Sequence, residues 1–200
     1  MANRFFDYKE HLEQEEDPND ETLPKKWESK YLNFHFEKIT NLQEDLTRLP
    51  TPGESFFLQT EGAFNAFTFI PLIARSTPIK ELFASTYSIN KRVTEAIIEM
   101  HDKGMIEQVT LLISDSMIKR NPVTIDNLMA MAKTRPNVKV LYAWVHAKVC
   151  LLKTHDFHFI IEGSGNWSEN AQYEQYLFAN DKGLYDFRMQ LFTTSKLKKY

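Results

Sequence analysis

Apolar runs of strand length alternate with amphipathic segments between residues 55 and 144, and this alternation restricts the fold more than any other feature. Strand character is found in 55–60, 79–89, 106–114 and 137–144, and helical character in 62–75, 91–104 and 124–134. We expect Pro71 to interrupt the first helix late, Gly104 to end the second and Thr124 to cap the third. The pattern predicts an α/β fold with three layers, in which helices cover both faces of a mixed, mostly parallel sheet.

The N-terminal segment differs from the rest of the chain in charge. Residues 1–30 carry nine acidic and five basic side chains, a balance of −4, whereas the formal net charge of all 200 residues is −3. Few aliphatic side chains occur there, so residues 1–50 are predicted to form an acidic arm that is partly flexible or contains a short helix within 29–49. The remaining residues, 51–200, are predicted to form the main domain.

Composition excludes some classes of protein. No run of about 18 apolar residues and no apolar leader of the signal-peptide type occurs, so the expected location is the cytoplasm, without membrane insertion. A single cysteine, Cys150, cannot form an internal disulfide, which agrees with a reducing compartment. The net charge of −3 does not by itself indicate a nucleic-acid-binding protein.

The last third of the chain contains a predicted β-hairpin with an unusual set of polar residues. Two β-rich runs, "VHAKVCLLK" and "FHFIIEGS", are joined by the polar tripeptide "THD". Since side chains alternate along a strand, His146 and Lys148 are predicted to lie on the same face. The sequence Gly-Ser-Gly-Asn at 163–166 ends the second run, where a turn is expected to expose backbone N–H groups near that pair.

This combination of groups suits a phosphate. Lys148, the Ser164 hydroxyl, the Gly165 N–H and the Asn166 amide are donors able to stabilise charge that develops on the non-bridging oxygens of a phosphodiester. His146 is a candidate nucleophile, and a second imidazole would protonate the leaving oxygen. Because one chain supplies one His146, this mechanism requires a two-fold dimer.

The same residues resemble the HKD motif of the phospholipase D superfamily. The resemblance consists of His146-x-Lys148, then Asp156, six further residues and the glycine-containing tetrapeptide at 163–166. Seven residues separate Lys148 from Asp156, whereas the family normally has four. We therefore expect a longer hairpin and assign Asp156 a structural role.

The resemblance implies a phospholipase D-like catalytic domain over 51–200, with the catalytic hairpin in the C-terminal third. It further implies a phosphohistidine intermediate on His146, with Lys148 and Asn166 on the phosphate oxygens. Glu174 is the choice for the glutamate that orients the imidazole, and Glu169 is its competitor. The expected substrate-binding residues are Ser164, Gly165 and Ser168. A single motif copy resembles the small branch that includes bacterial endonucleases, which implies a homodimer, no metal or other cofactor, and DNA or RNA as substrate.

Several alternatives remain open at this stage. A phospholipase or small-diester hydrolase would share the catalytic residues, and an inactive nucleic-acid-binding module would keep the fold alone. His146, His155 and His158 would be the ligands of an alternative metal site, although positions 155 and 158 face opposite sides of a strand. Cys150 is expected in the core rather than as a nucleophile. The three aromatic residues that flank the motif either stack on bases or pack in the core, namely Trp144, Trp167 and Tyr173.

Overall fold

One mixed β-sheet runs through the part of the chain that the structure, a computed structural model, describes: residues 26–28, 33–62, 64–168, 172–194 and 197–199. Its strands are β1 (Lys26–Glu28), β2 (Asn33–Ile39), β3 (Glu54–Thr60), β4 (Ile79–Thr86), β5 (Ile106–Ser114), β6 (Val138–Ala143), β7 (Val149–Lys153), β8 (His158–Gly163), β9 (Gln175–Asn180) and β10 (Lys198–Lys199). Their spatial order is β1-β2-β3-β9-β8-β7-β4-β5-β6-β10. Strands β7, β8 and β9, from the last third of the chain, therefore occupy the middle of the sheet.

The helices are α1 (Leu42–Asp45), α2 (Phe69–Ser76), α3 (Lys91–Asp102), α4 (Ser116–Arg120), α5 (Pro122–Lys133) and α6 (Lys182–Thr193). Gly104 follows α3 with φ 72°, so the predicted glycine stop is confirmed. Pro71 lies in the first turn of α2, where proline is tolerated, rather than near its end. Asn121, not Thr124, caps α5. None of the helices in the described ranges has the length and apolarity needed to cross a membrane.

The pairing of strands corrects one part of the predicted sheet. Parallel pairing links β2 to β3, β4 to β5 and β5 to β6, and the other neighbouring strands pair antiparallel. The expected mostly parallel sheet is therefore wrong, while the α/β class is confirmed. Strand–helix alternation produces the parallel set β4–β6, but the antiparallel meander β7–β8–β9 enters the sheet between β4 and β3.

Apolar side chains pack on both faces of the sheet. On β7, Cys150 and Leu152 belong to one core, whereas Val149 and Leu151 belong to another. The first core includes buried side chains of α2, α3 and α5, and the second includes those of α6. Because alternate residues point to opposite faces, the near-continuous apolar runs of the central strands are the sequence pattern of a sheet covered on both sides.

The predicted helix within 29–49 is wrong over most of its length. Residues 33–39 form β2, which runs parallel to β3, and only 42–45 are helical. Aromatic residues recur with a period of two in "NFHFEKI", a pattern that favours a strand. Residues 1–25 and 29–32 lie outside the described residues, so the acidic arm stays a prediction.

A buried carboxylate holds the start of β3. Glu54 is 6% exposed and accepts hydrogen bonds from Nη1 and Nη2 of Arg48 at 2.6 and 2.9 Å. The Thr51 N–H and hydroxyl donate to it at 2.7 and 2.8 Å, and His35 Nε2 lies 3.0 Å away. These bonds, foremost those from Arg48, hold the pKa of Glu54 well below its usual range. The carboxylate thereby links β2, β3 and the preceding loop.

We expect Arg48→Met to lower the free energy of unfolding at pH 7 by about 1–2 kcal/mol, since it leaves a buried carboxylate without its counter-charge. A lowered folded-state pKa stabilises above the unfolded-state pKa and loses this contribution as pH falls through the folded value. The deficit should therefore shrink below about pH 4.5. Urea unfolding followed by circular dichroism measures both effects.

The matched control is Lys38→Met, which breaks the exposed pair between Lys38 and Glu61 at 3.1 Å. Such a pair contributes about 0.5 kcal/mol or less, so this variant should unfold close to the wild type. Equal losses in the two variants, or a deficit for Arg48→Met that does not change with pH, would contradict the role assigned to Glu54.

Candidate active site

The two segments of the predicted site meet at one edge of the sheet. His146 and Lys148 lie in the connection from β6 to β7, and residues 163–166 lie at the end of β8 and just beyond it. The Gly163 N–H donates to the Lys148 carbonyl at 3.3 Å, which continues the antiparallel ladder of β7 and β8 past the first residue of β7. The carboxyl ends of β4, β5 and β6 reach the same edge, and parallel strands commonly form ligand sites there.

His146 and Lys148 are in direct contact, although neither belongs to a strand. The strand begins at Val149, so strand alternation is not what brings the two side chains together. Lys148 Nζ lies 2.9 Å from His146 Nδ1 and 2.9 Å from the His146 carbonyl oxygen. An ammonium group only donates, so this contact is a hydrogen bond in the tautomer that leaves the facing ring nitrogen without a proton. An unprotonated ring nitrogen is the form that nucleophilic attack requires.

The Lys148 ammonium is half-buried. Burial lowers the pKa of Lys148, and the Glu174 carboxylate acts in the opposite direction. A cation that has lost part of its water interacts more strongly with an anion than an exposed cation does. Lys148 is therefore suited to bind a phosphate oxygen, and such binding would release the imidazole nitrogen of His146.

Tyr87 and Arg120 extend the site, and sequence reasoning missed both. The ring centroids of Tyr87 and His146 are 4.8 Å apart, and Lys148 Nζ lies 6.0 Å from the Tyr87 centroid. The Arg120 guanidinium lies 4.3 Å from the same ring, and its Nη2 donates to the Tyr87 carbonyl at 3.3 Å. Tyr87 follows the last residue of β4. Ligand sites commonly lie at the carboxyl ends of parallel strands, so this position could have indicated Tyr87 as a site residue.

Glu174 lies beside the glycine-containing turn. The Ser164 hydroxyl donates to the Glu174 carboxylate, and the Gln175 N–H donates to the Ser164 oxygen at 3.1 Å. The Glu174 N–H donates to the Thr60 hydroxyl oxygen at 2.6 Å, which fixes the backbone of this residue against β3. Ser164 therefore holds Glu174 in this arrangement. Orientation of His146 by Glu174 stays a prediction, and its competitor Glu169 lies outside the described residues.

The glycines of the turn make room for Tyr176. A Cβ at Gly165 would overlap the Tyr176 hydroxyl oxygen and lie 2.9 Å from its Cζ, and a Cβ at Gly163 would overlap the Gln175 carbonyl. Neither glycine has a positive φ, so close approach rather than backbone conformation requires glycine here. Among the described residues, none forms a hydrogen bond with the buried Tyr176 hydroxyl, and burial raises the pKa of Tyr176. Sequence reasoning missed this contact, since the register of β8 and β9 creates it.

The residues after the turn attach it to the end of β4. Trp167 is 2% exposed. Its backbone N–H donates to the Ser88 carbonyl at 3.0 Å and lies 3.2 Å from the Thr86 hydroxyl oxygen. The hydroxyls of Ser168 and Ser88 are 2.6 Å apart. Asn166 is half-buried between Gly165 and this anchor. Substrate binding by Gly165, Asn166 and Ser168 stays a prediction.

Asp156 lies at the opposite end of the hairpin. It is exposed in the turn between β7 and β8, and its Oδ1 is 2.7 Å from His155 Nδ1. The five residues of β7 span about 16 Å, so Asp156 is remote from His146. His155 and His158 share this distant end, and the alternative metal site of three histidines does not form. Among the described residues, no group of three or more His, Cys, Asp or Glu side chains could hold a metal ion.

Burial distinguishes core residues from accessible ones among the four side chains that allowed two interpretations. Cys150 is buried, and burial raises the pKa of its thiol, as expected for a core residue rather than a nucleophile. Trp167 is likewise in the core. Trp144 is 80% exposed and Tyr173 is 66% exposed, so both are accessible near the site.

Comparisons with known proteins relate the fold to solved structures. The sequence matches no protein-family profile and no characterised protein. Polyphosphate kinase from Porphyromonas gingivalis is similar with a TM-score of 0.54 and 15% identity, over 69% of this chain and 25% of the kinase. Phosphatidylserine synthase from Haemophilus influenzae Rd KW20 is similar with a TM-score of 0.51 and 14% identity, over 73% of this chain and 39% of the synthase. The archaeal chromatin protein TrmBL2 is similar with a TM-score of 0.51 and 12% identity, over 73% of this chain and 55% of TrmBL2.

The likeness concerns the fold. The kinase and the synthase have folds of the phospholipase D superfamily, and this chain shares its fold with these two structures. With identities of 12 to 15%, activity and substrate do not follow from it. The matching region spans 25 to 55% of the length of these structures.

We expect Gly165→Ala to destabilise the protein by about 1–3 kcal/mol, because the added methyl group overlaps the buried Tyr176 side chain. The double variant Gly165→Ala/Tyr176→Phe should recover part of this loss, since the overlapping oxygen is removed. Tyr176→Phe alone should be neutral or stabilising, because the hydroxyl lacks a partner. Urea unfolding of the three variants measures the coupling, and additive effects would contradict the contact.

Proposed function

We propose that this chain is a metal-independent phosphodiesterase, and specifically a nuclease, that acts as a homodimer through a phosphohistidine intermediate. The contact between the His146 imidazole and the Lys148 ammonium carries this proposal. The contact lies at the sheet edge where the glycine-containing turn, Ser164 and Glu174 also lie. Positive charge and hydrogen-bond donors for a phosphate are thus available from the chain's own residues.

In the first step, the unprotonated ring nitrogen of His146 attacks phosphorus. The phosphorus–nitrogen bond forms as the bond to the leaving oxygen breaks, and that oxygen takes a proton from the partner's His146. Lys148 leaves the imidazole and binds a non-bridging oxygen, where Asn166 assists. The negative charge that develops on the phosphate is thereby stabilised.

In the second step, water resolves the intermediate. The partner's His146, now without its proton, takes a proton from water, and the resulting hydroxide attacks phosphorus. The phosphorus–nitrogen bond breaks and His146 is regenerated. Both imidazoles thus return to their starting states, which is why one His146 from each subunit is sufficient for a full cycle.

Glu174 and Ser164 serve this cycle by positioning. Glu174 is fixed through its backbone by Thr60 and through its carboxylate by Ser164. A carboxylate held in this way can orient an imidazole and stabilise its protonated form. In the dimer, the imidazole that Glu174 orients belongs to the shared site. Glu174→Gln removes the carboxylate charge and should therefore slow both steps.

Phosphoryl chemistry receives support from the fold. The polyphosphate kinase and the phosphatidylserine synthase that share this architecture are phosphoryl-transfer enzymes. A phospholipase or small-diester hydrolase would use the same residues and is the alternative within this chemistry. Salt dependence separates the two, since binding to a nucleic acid weakens steeply with salt, whereas a lipid enzyme requires an interface.

A second candidate function is nucleic-acid binding without catalysis. TrmBL2, a chromatin protein with a novel mode of DNA binding, shares the fold with a TM-score of 0.51. A binding module would hold nucleic acid equally well after His146→Ala and would cleave no diester. Binding and turnover measured on the same protein samples distinguish the two functions.

We expect His146→Ala to reduce cleavage of DNA, RNA or a chromogenic phosphodiester by about a thousandfold or more, because the nucleophile is lost. Wild-type activity should persist in EDTA, and a labelled substrate should leave an acid-labile phosphoenzyme on the wild type alone. His155→Ala is the matched control, since this exposed histidine lies at the other end of the hairpin. Absence of turnover by folded, dimeric wild type would contradict the proposal.

The shared site makes a separate prediction about mixed dimers. When wild-type and His146→Ala chains assemble at random in equal amounts, about one quarter of the dimers contain two intact imidazoles. Activity per total protein should therefore fall to about one quarter of that of the wild type, compared with about one half for chains that act alone. Differently tagged chains, co-expressed and checked for mixing, make this measurement possible. Retention of one half of the activity would refute the shared site.

A further inference from the structure

Trp144 is held out from the surface beside the candidate site. Its side chain is 80% exposed, whereas Val145, the next residue, is buried. On the other side, the Ala143 carbonyl accepts a bond from the Asp115 N–H at 2.9 Å. The backbone on both sides of Trp144 is thus fixed, so the indole is presented by an ordered segment two residues before His146.

Cationic side chains lie at the same edge of the sheet. Arg120 packs over Tyr87 at 4.3 Å, and Tyr87 packs against His146 at 4.8 Å. Lys119 is exposed beside Arg120 at the end of α4, and α4 follows β5 directly. Strands β4, β5 and β6 are parallel neighbours, so the residues that follow them share one edge with Trp144. Two carboxylates lie at this edge as well, those of Asp115, which is half-buried, and of Glu174, which accepts a bond from the Ser164 hydroxyl.

An exposed indole and a guanidinium held at the same edge of the sheet fit a polymer that has both aromatic rings and phosphates. Stacking of one base on an aromatic side chain contributes about 1–3 kcal/mol, and it requires a base that is not already stacked in a duplex. Arginine and lysine bind the phosphates that flank such a base. Two extended residues span about 7 Å, which places the Trp144 backbone close to that of His146.

We propose that Trp144 and Arg120 form a subsite for an unpaired base and its neighbouring phosphate, and that the substrate is single-stranded nucleic acid. The inference rests on the proposed function, which places the scissile phosphodiester at His146. It adds that the substrate is single-stranded. Cations alone would suit an anionic lipid equally. The contacts of Tyr87 with Arg120 and with His146 favour a nucleic acid, because they hold a guanidinium beside the proposed scissile phosphate. Val123, 66% exposed at the start of α5, is the aliphatic residue that a lipid interface would use in addition.

The experiment measures binding of a fluorescein-labelled oligo(dT) strand and of its duplex with oligo(dA). The protein carries His146→Ala in every sample, so that turnover does not consume the strand. We expect Trp144→Ala to weaken single-strand binding by about 5- to 150-fold, and to change duplex binding by less than about twofold. Trp144→Phe should keep most of the affinity. Arg120→Gln should weaken binding and reduce the salt dependence by about one ion.

Matched controls lie elsewhere on the surface. Phe187 is 57% exposed on α6 beside Arg188, so Phe187→Ala removes an exposed aromatic ring away from the site. Lys133 is exposed at the other end of α5 from Pro122, and Lys133→Gln removes a charge there. Both controls should bind the single strand as the parent protein does. Equal weakening in a control and in its matched variant would overturn the subsite.

Other outcomes separate this inference from the proposed function. Single-strand binding that depends on Trp144, without turnover of any diester by the wild type, would sustain the subsite and overturn the phosphodiesterase. Turnover of a chromogenic diester without single-strand binding would overturn the subsite alone. Binding to vesicles of phosphatidylserine and phosphatidylcholine that is lost in Trp144→Ala and Val123→Ser, with no oligonucleotide binding, would replace the nucleic acid by a lipid surface.

Discussion

Pairing of β7 with β8 determines where every residue of the candidate site lies. The bond from the Gly163 N–H to the Lys148 carbonyl brings the His-x-Lys segment beside the glycine-containing turn, although Gly163 lies 15 positions after Lys148 in the sequence. Pairing of β7 with β4 then places both segments at the carboxyl ends of the parallel strands. The antiparallel insertion thus adds the proposed catalytic groups to an edge that the parallel half of the sheet already forms.

Sequence periodicity predicts the parallel half of the fold because the burial of each helix and strand there follows a regular pattern along its own sequence. In α3 the apolar side chains at helical spacing all face the core, and β5 is apolar because both of its faces are covered. The remainder follows from long-range pairing, which no local pattern contains. Strand β2 joins β3 in parallel, and the sheet order places β9 between β3 and β8, so the mostly parallel sheet was not the outcome.

The site was predictable to the extent that its chemistry is local in sequence. His146, Lys148 and Ser164 are recognisable from spacing and residue type, and Glu174 is implied by the resemblance to the HKD motif. The structure brings Ser164 to Glu174 and His146 to Lys148. Tyr87 follows strand β4 and lies 59 positions upstream of His146, so its contact with the imidazole depends on the sheet order. Long side chains that cross between strands are therefore the part of a site that sequence reasoning misses.

The total charge of the protein is a poor guide to the electrostatics of this edge. Acidic side chains are concentrated in residues 1–30, which leave a balance of +1 for the other 170 residues of the −3 total. Lys119, Arg120 and Lys148 come from two different connections, and the sheet places them at one edge. A ligand responds to the local field, which falls off within about 10 Å at moderate salt, and not to the sum over the chain. An acidic protein can therefore present a cationic site wherever its topology gathers the basic residues.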